Sequence, residues 1–316
     1  MSAKKTLAVL GATGAQGGGL ARAILDDPHG GFTVRAITRN VDSEAARALA
    51  KRGAEVVAGD VFDEPSLERA FAGAHGVYGV TFYWGHMDPA RETEEGARIA
   101  RAAKAAGVSH VVWSTFEDTR RQVPLDDPRM PTLLGRYKVP HFDSKGEADA
   151  AFAATGVPTT YLLTSFYWDN YINFGLGPKP GPDGALALTM PMGEAKLPGI
   201  ASGDIGGCAY GIFKRAGAFV GERIGIAGEH LSGAEIAAAF QRALGRPVRY
   251  NDVSPDAYRA FGFPSAVDLG NMFQFKRDFE REFRAVRDVA RSRSLYPQLQ
   301  SFDQWLAANA SRIPLD

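Results

Sequence analysis

The chain has 316 residues, 45% of them hydrophobic, with 36 basic and 36 acidic side chains and so no formal net charge. That length supports one large α/β unit or such a unit with a smaller lobe, and the charge balance gives no electrostatic reason to expect nucleic acid or an anionic membrane as partner. No apolar run nears the roughly 20 residues of a membrane-spanning helix, and the single cysteine, Cys208, excludes an internal disulfide and a thiolate zinc cluster.

Lys4 and Lys5 precede only a short apolar stretch that breaks at glycine, which reads against a signal peptide. That stretch, residues 6–10, is predicted to be a strand. It runs into glycines spaced G-x-x-G-x-x-G (Gly11, Gly14, Gly17), and a helical period begins at Leu20. Strand, glycine turn and helix together bring backbone N–H groups and a helix N-terminus onto a pyrophosphate. The second strand, 33–40, carries Arg39 near its end. An acidic residue there would bind the ribose 2′-hydroxyl of NAD, whereas a guanidinium suits the 2′-phosphate of NADP. Asp42 and Glu44 follow and would oppose a phosphate. A helix over 45–52 and a third strand over 54–61 come next. Asp60, where that strand runs out, is placed to accept from an adenine amino group or to shape a turn.

A helix over 64–71 and a fourth strand over 76–82 lead into Phe82, Tyr83 and Trp84, which suit a cofactor wall or a core equally. A long alanine-rich helix over 92–106 precedes the fifth strand, 110–115, which ends in the hydroxyls of Ser114 and Thr115. Residues 120–139 read as a long loop over the cleft, and long loops are often lids. A helix then starts at Pro140, and 159–163 is the sixth strand. The alternation implies an α/β fold: a doubly wound parallel sheet of the Rossmann type over 1–164, with a smaller C-terminal α/β lobe over 165–316. Residues 224–226 are expected to return to the sheet, and 276–293 to form one docked helix through Phe279, Phe283 and Val286. The six histidines lack ligand spacing, so no metal site is predicted. The expected setting is a soluble cytoplasmic protein.

Short-chain dehydrogenase chemistry needs a hydroxyl to polarise the carbonyl, a tyrosine to transfer the proton, and a lysine four residues later on the same helix face. Ser114 or Thr115 can supply the hydroxyl and Lys145 the lysine. The residue four before Lys145 is His141, and Tyr137 lies ahead of Pro140, out of register. The standard triad is incomplete. Lys145 is therefore a ribose ligand without dehydrogenase chemistry, or His141 or Lys145 acts as an alternative acid, or both are ordinary surface residues.

The segments 11–18, Thr38-Arg39-Asn40, His141-Phe142-Asp143-x-Lys145-Gly146-Glu147, Gly262-Phe263-Pro264 and Asp268-Leu269-x-Asn271-Met272-Phe273 resemble the NmrA-like family, an atypical branch of the short-chain dehydrogenases. The resemblance implies diphosphate binding along Gly11 to Gly17, with Thr13, Ala15 and Gln16 lining the turn. It implies Arg39 on the 2′-phosphate, Asp60 and Val61 near adenine, and Thr81, Phe82 and Tyr83 along the cofactor. Lys145 would sit at the nicotinamide ribose, and Tyr167, Trp168, Asp169 and Asn170 would close over the nicotinamide end. The histidine in place of tyrosine is a family trait. The chain departs from the family's NADPH sensor at Asp42, Ser43, Glu44 and Glu94, where that protein has basic residues at or near the same positions.

Two functions follow from this likeness. One is a redox-responsive regulator in which NADP(H) occupancy is read by a protein partner, which requires differential affinity between two conformations. The other is an NADPH-dependent reductase of a small carbonyl, quinone or aromatic compound, with the aromatics 82–84 and 166–168 suited to a planar substrate. The oligomeric state, homodimer included, is left open.

Overall fold

Lys5–Val9 forms the first strand (β1), and its Leu7, Ala8 and Val9 have no exposed surface, the mark of a strand covered on both faces. The computed structural model describes residues 3–181, 183–215 and 217–315. Strands β2 (Phe32–Thr38), β3 (Glu55–Ala58), β4 (Gly76–Gly79), β5 (His110–Thr115) and β6 (Thr159–Leu163) follow. With Arg223–Gly225 they build a seven-stranded sheet in which every neighbouring pair is parallel. From the Arg223–Gly225 edge the order is β6, β5, β4, β1, β2, β3. The strand order reverses between β1 and β4, which places a ligand crevice at the carboxyl ends of those strands.

Helices α1 (Ala15–Leu25), α2 (Glu44–Lys51), α3 (Glu64–Phe71), α4 (Pro89–Ala105) and α5 (Pro140–Thr155) make the connections. The helices α1, α2 and Ser202–Phe213 bury Leu20, Ile24, Leu49, Ile205 and Ile212 on one face of the sheet. On the other face α3, α4 and α5 bury Leu67, Phe71, Ile99 and Phe152 around Trp113. The predicted doubly wound α/β fold is what forms, and the expected return of residues 224–226 occurs as Arg223–Gly225.

Two glycine positions set the close packing. A Cβ on Gly17 would meet the Leu10 carbonyl oxygen, so only glycine lets α1 start this near β1. One on Gly19 would meet the Gly203 carbonyl oxygen, which explains how α1 and the helix Ser202–Phe213 touch along their backbones.

Beyond the large sheet lie two three-stranded sheets. Leu197–Ile200 sits between Glu229–Leu231 and Phe166–Tyr167, and Leu186–Met190 between Val248–Asp252 and Lys179–Pro180. Their core is aromatic, with Trp168, Tyr171, Phe240, Phe302 and Trp305 packed together.

Several boundaries differ from the sequence reading. β3 and β4 end earlier, so Asp60 lies beyond its strand, and Tyr83–Gly85 is a 3-10 turn. α4 starts at Pro89 because the Asp88 carboxylate caps it, accepting from the Ala90 and Arg91 amides. The single helix expected over 276–293 is instead three: Ala266–Asp278, Glu280–Val286 and Val289–Leu295. Asp288 caps the last of these through the Arg291 amide, which ends the preceding helical run. Phe283 is buried as expected, but Val286 is exposed.

The loop 120–139 is stitched down along its length. Asn271 donates to the Pro131 and Lys138 carbonyls, Gln274 to that of Arg129, and the Lys138 ammonium to those of Asp127 and Met130. The buried Asp143 carboxylate takes the Thr119, Lys138 and Val139 amides. These bonds anchor the loop to α5 and to the helix Ala266–Asp278.

Candidate functional site

The turn after β1 presents Gly11 at φ +61°, with Thr13, Gly14 and Ala15 exposed on its outer side. Gly14 is the N-cap of α1, and no side chain caps that end. Its first-turn amides can therefore meet an anion, and glycine keeps the approach open. This cradle fits a diphosphate.

Arg39, just past β2, is exposed and forms no ion pair or hydrogen bond among the described residues. Neither Asp42 nor Glu44 pairs with it. Asp42 donates its amide to the Asn40 side chain, and Ser43 caps α2. Asp60 accepts from the Phe62 amide through Oδ1, the turn-shaping role, while Val61 beside it is half-buried.

Gln16 turns inward from the same glycine turn. Its Oε1 accepts from the Tyr78 hydroxyl at 2.6 Å and the Ser114 hydroxyl at 2.8 Å, and its Nε2 donates to the Tyr167 hydroxyl at 2.8 Å. Burial raises the Tyr167 phenol to about 12. Ser114 thus gives its proton to Gln16, and Thr115 gives its own to Asp149 at 2.8 Å.

Lys145 is buried on α5. Its Nζ reaches Thr81 Oγ1 at 2.6 Å and Glu92 Oε1 at 2.5 Å, and Thr81 Oγ1 also donates to Glu92 Oε1 at 2.5 Å. One helical turn earlier, His141 Nδ1 stands 2.8 Å from Asp268 Oδ1 on the helix Ala266–Asp278. Trp84 packs on the imidazole at 4.7 Å between ring centroids, with Phe142 at 4.8 Å. α5 thus brings Lys145 and His141 onto one face, as the spacing predicted.

The remaining predicted residues divide. Phe82 is 65% exposed, whereas Tyr83 is buried against Trp84, His86 and His141. Trp168 is buried against Phe302 and Trp305, so it serves the core. Asp169 holds the Ser202 amide, and Asn170 opens a short helix.

Three residues with no role in the sequence reading enter the site: Glu92, His86 and Asp268. His86, Glu92 and Glu95 place ligand-type atoms within 4.8 Å of one another. His86 Nδ1 accepts from the Asp88 amide, so in the neutral ring the proton sits on Nε2, facing the carboxylates. Lys145 and Arg91 already pair with those carboxylates. The carboxylates are thus already engaged in ion pairs, while His86 Nε2 and Glu92 Oε2 face each other at 3.2 Å without a hydrogen bond. The inward period of α4, with Glu92, Glu95, Gly96, Ile99 and Ala103 all buried, was the available signal for these two acids.

Comparison with known proteins agrees with this architecture. The NmrA-like family matches residues 3–306. An NmrA-like family domain-containing oxidoreductase, FrzB of Cladobotryum sp., is 31% identical over 294 residues, covering 85% of this chain and 83% of that protein. The crystal structure of NmrA, a negative transcriptional regulator, in complex with NADP superposes with a TM-score of 0.77 at 24% identity, covering 98% of this chain and 96% of that one. The Citrobacter sp. triphenylmethane reductase complexed with NADP(H) gives 0.74 at 20% identity, covering 97% and 100%. No helix among the described residues is long and apolar enough to cross a membrane.

Proposed function

The chain belongs to the NmrA-like family, and on that premise we propose that it is an NADP(H)-dependent reductase of a small carbonyl, quinone or aromatic compound. The observation that carries this reading is the His141–Asp268 pair, one helical turn before Lys145, at the place where a dehydrogenase carries its tyrosine. The bound cofactor supplies a hydride. The chain's part is to bind it, to orient the acceptor and to deliver a proton.

Gly11, Gly14, Gly17 and the α1 amides hold the diphosphate, Arg39 the 2′-phosphate, and Lys145 a ribose hydroxyl. Asp268 accepts from His141 Nδ1, which leaves Nε2 of the doubly protonated ring as the nitrogen that gives a proton to the substrate. Trp84 offers an aromatic face beside it.

A second reading, a regulator whose NADP(H) occupancy is read by a protein partner, draws on one specific feature. Ser114, the candidate carbonyl-polarising hydroxyl, spends its proton on Gln16. The test is titration with NADPH, NADP⁺, NADH and NAD⁺, with NADPH oxidation followed against aldehydes and quinones. Turnover that falls in His141→Ala supports the reductase. Tight NADP(H) binding without turnover on the panel supports the regulator, and failure to bind any of the four overturns both.

A further inference from the structure

We propose that Glu92 is the positioning residue for Lys145, directing its one unspent ammonium hydrogen toward the bound cofactor's ribose. This rests on the NADP(H) reading above.

Glu92 has no exposed surface and Lys145 is 8% exposed. A charge so buried is tolerated only when paired and hydrogen-bonded. An ammonium has three hydrogens. Two face close partners, Glu92 Oε1 in an ion pair at 2.5 Å and Thr81 Oγ1 in a hydrogen bond at 2.6 Å. The Thr81 hydroxyl donates in turn to the same Glu92 oxygen, closing a three-membered ring of bonds that fixes the amine's direction. The third hydrogen has for neighbours the Thr81 carbonyl, at 3.4 Å and beyond ordinary hydrogen-bond length, and the Trp113 ring, whose centroid is 5.6 Å from Nζ. It is the donor available to a ligand.

The other oxygen of Glu92, Oε2, is buried and makes no hydrogen bond among the described residues. It faces His86 Nε2 at 3.2 Å, and the same nitrogen lies 3.5 Å from Glu95 Oε1, which Arg91 binds at 3.2 Å. Glu95 and Arg91 line a groove of about 590 Å³ on the outer side of α4, together with Phe62, Asp88, Glu94 and Arg98. Each buried carboxylate has its own cation, Lys145 for Glu92 and Arg91 for Glu95. Glu92 is fixed through its Oε1, which Lys145 and Thr81 both reach, and Lys145 is held in turn.

The experiment is a double-mutant cycle on NADPH affinity, read by fluorescence titration, with Glu92→Gln, Lys145→Met and the combined variant. Each single substitution is expected to weaken NADPH binding about tenfold, the size of one charge-assisted hydrogen bond. The combined variant should bind no more weakly than Lys145→Met alone, because Glu92 acts only through the lysine. Glu92→Asp, which keeps the charge, should recover part of the loss. Multiplying effects, or unchanged affinity in Glu92→Gln with only a lowered melting temperature, would overturn the proposal. If Glu92→Gln fails to fold, the combined variant leaves neither charge unpaired, and its comparison with Lys145→Met decides: equal affinity supports the proposal, weaker affinity overturns it. A wild-type protein that binds no NADPH overturns the cofactor reading itself, a result distinct from either.

Discussion

Asp268 holds the imidazole of His141 across 127 positions of sequence, Oδ1 to Nδ1 at 2.8 Å. The carboxylate rides on the helix Ala266–Asp278 and the histidine on α5, so the candidate proton donor is completed only when the C-terminal elements dock on the large sheet. Asp268→Asn removes the charge but keeps the shape. It should lower kcat by about 10²-fold or more, within the usual range for general acid catalysis, while leaving NADPH affinity within a few-fold. Steady-state rates on any substrate found, set beside NADPH titration of the same variant, check this. Equal losses in affinity and kcat would remove the proton-donor role from His141.

His141→Tyr restores the tyrosine four residues before Lys145. The standard pairing puts the phenol and the lysine on one helix face, and the structure shows that positions 141 and 145 share that face. The pocket around 141 is already aromatic, with Trp84, Phe142 and Tyr83 in contact. The substitution leaves Asp268 without its partner, at a cost of about 1–3 kcal/mol. The expected outcome is a lower melting temperature together with aldehyde reduction at least as fast as wild type. Slower reduction in a folded variant would mean that this site needs the imidazole itself.

Much of the frame was legible because it depends on local pattern. β5 and β6 begin and end where the sequence put them, since runs such as Val111-Val112-Trp113 are buried on both faces. The glycine turn and the shared face of His141 and Lys145 are matters of spacing. Asp268 was not legible in that way, and the inward period of α4 marks Glu92 as buried without naming its partner. An acid on a helix reads as solvated until the partner that neutralises it is known, and Lys145 lies 53 residues from one while His141 lies 127 from the other. The run 276–293 misled for the same reason. Lys276 and Arg287 look like surface charges within an amphipathic helix, yet both are buried.

Arg287 ties the ends of two sheet strands to the C-terminal helices. It donates to both Glu117 carboxylate oxygens, to the Thr164 carbonyl and to the Phe283 carbonyl, and lies over the Phe283 ring at 3.5 Å. Arg287→Met would strand Glu117 and two buried carbonyls. The expected loss is about 3 kcal/mol, the low end for a broken buried pair because Glu117 keeps some solvent contact. Urea unfolding of the variant measures it, and a loss under about 1 kcal/mol would show that the pair contributes little.

Lys276 sits among Phe142, Phe166 and Phe283, with Nζ 5.4–5.7 Å from their ring centroids. Burial, helped by the Arg287 cation and opposed by Glu117, lowers its ammonium to about 7. The unfolded chain then binds the extra proton between about pH 7 and the ordinary lysine value, so stability rises with pH across that window. The slope is at most about 1.4 kcal/mol per pH unit. Above about pH 10 the trend reverses, as the unfolded chain ionises tyrosines such as Tyr78 and Tyr171 that burial keeps protonated in the fold. Urea midpoints at pH 7, 8 and 9 should climb in the wild type and stay flat in Lys276→Met. A flat wild-type profile would place the lysine's ionisation outside this window.

Arg39 gives the cleanest test of cofactor choice. It is exposed, it holds no other residue among the described ones, and Asp42 and Glu44 do not engage it. Arg39→Ser should therefore leave the melting temperature unchanged. If the guanidinium meets the 2′-phosphate, its loss removes charge-assisted hydrogen bonds worth about 1.5–3 kcal/mol, or roughly 10- to 100-fold in NADPH affinity. NADH has no phosphate at that position, so its affinity should stay the same, and the ratio of the two dissociation constants should collapse toward one. The phosphate contact is also an ion contact at the surface, so NADPH binding by wild type should weaken with added salt more steeply than binding by the variant. An unchanged NADPH to NADH ratio in Arg39→Ser would mean that the 2′-phosphate is held elsewhere, or that the site takes both cofactors alike.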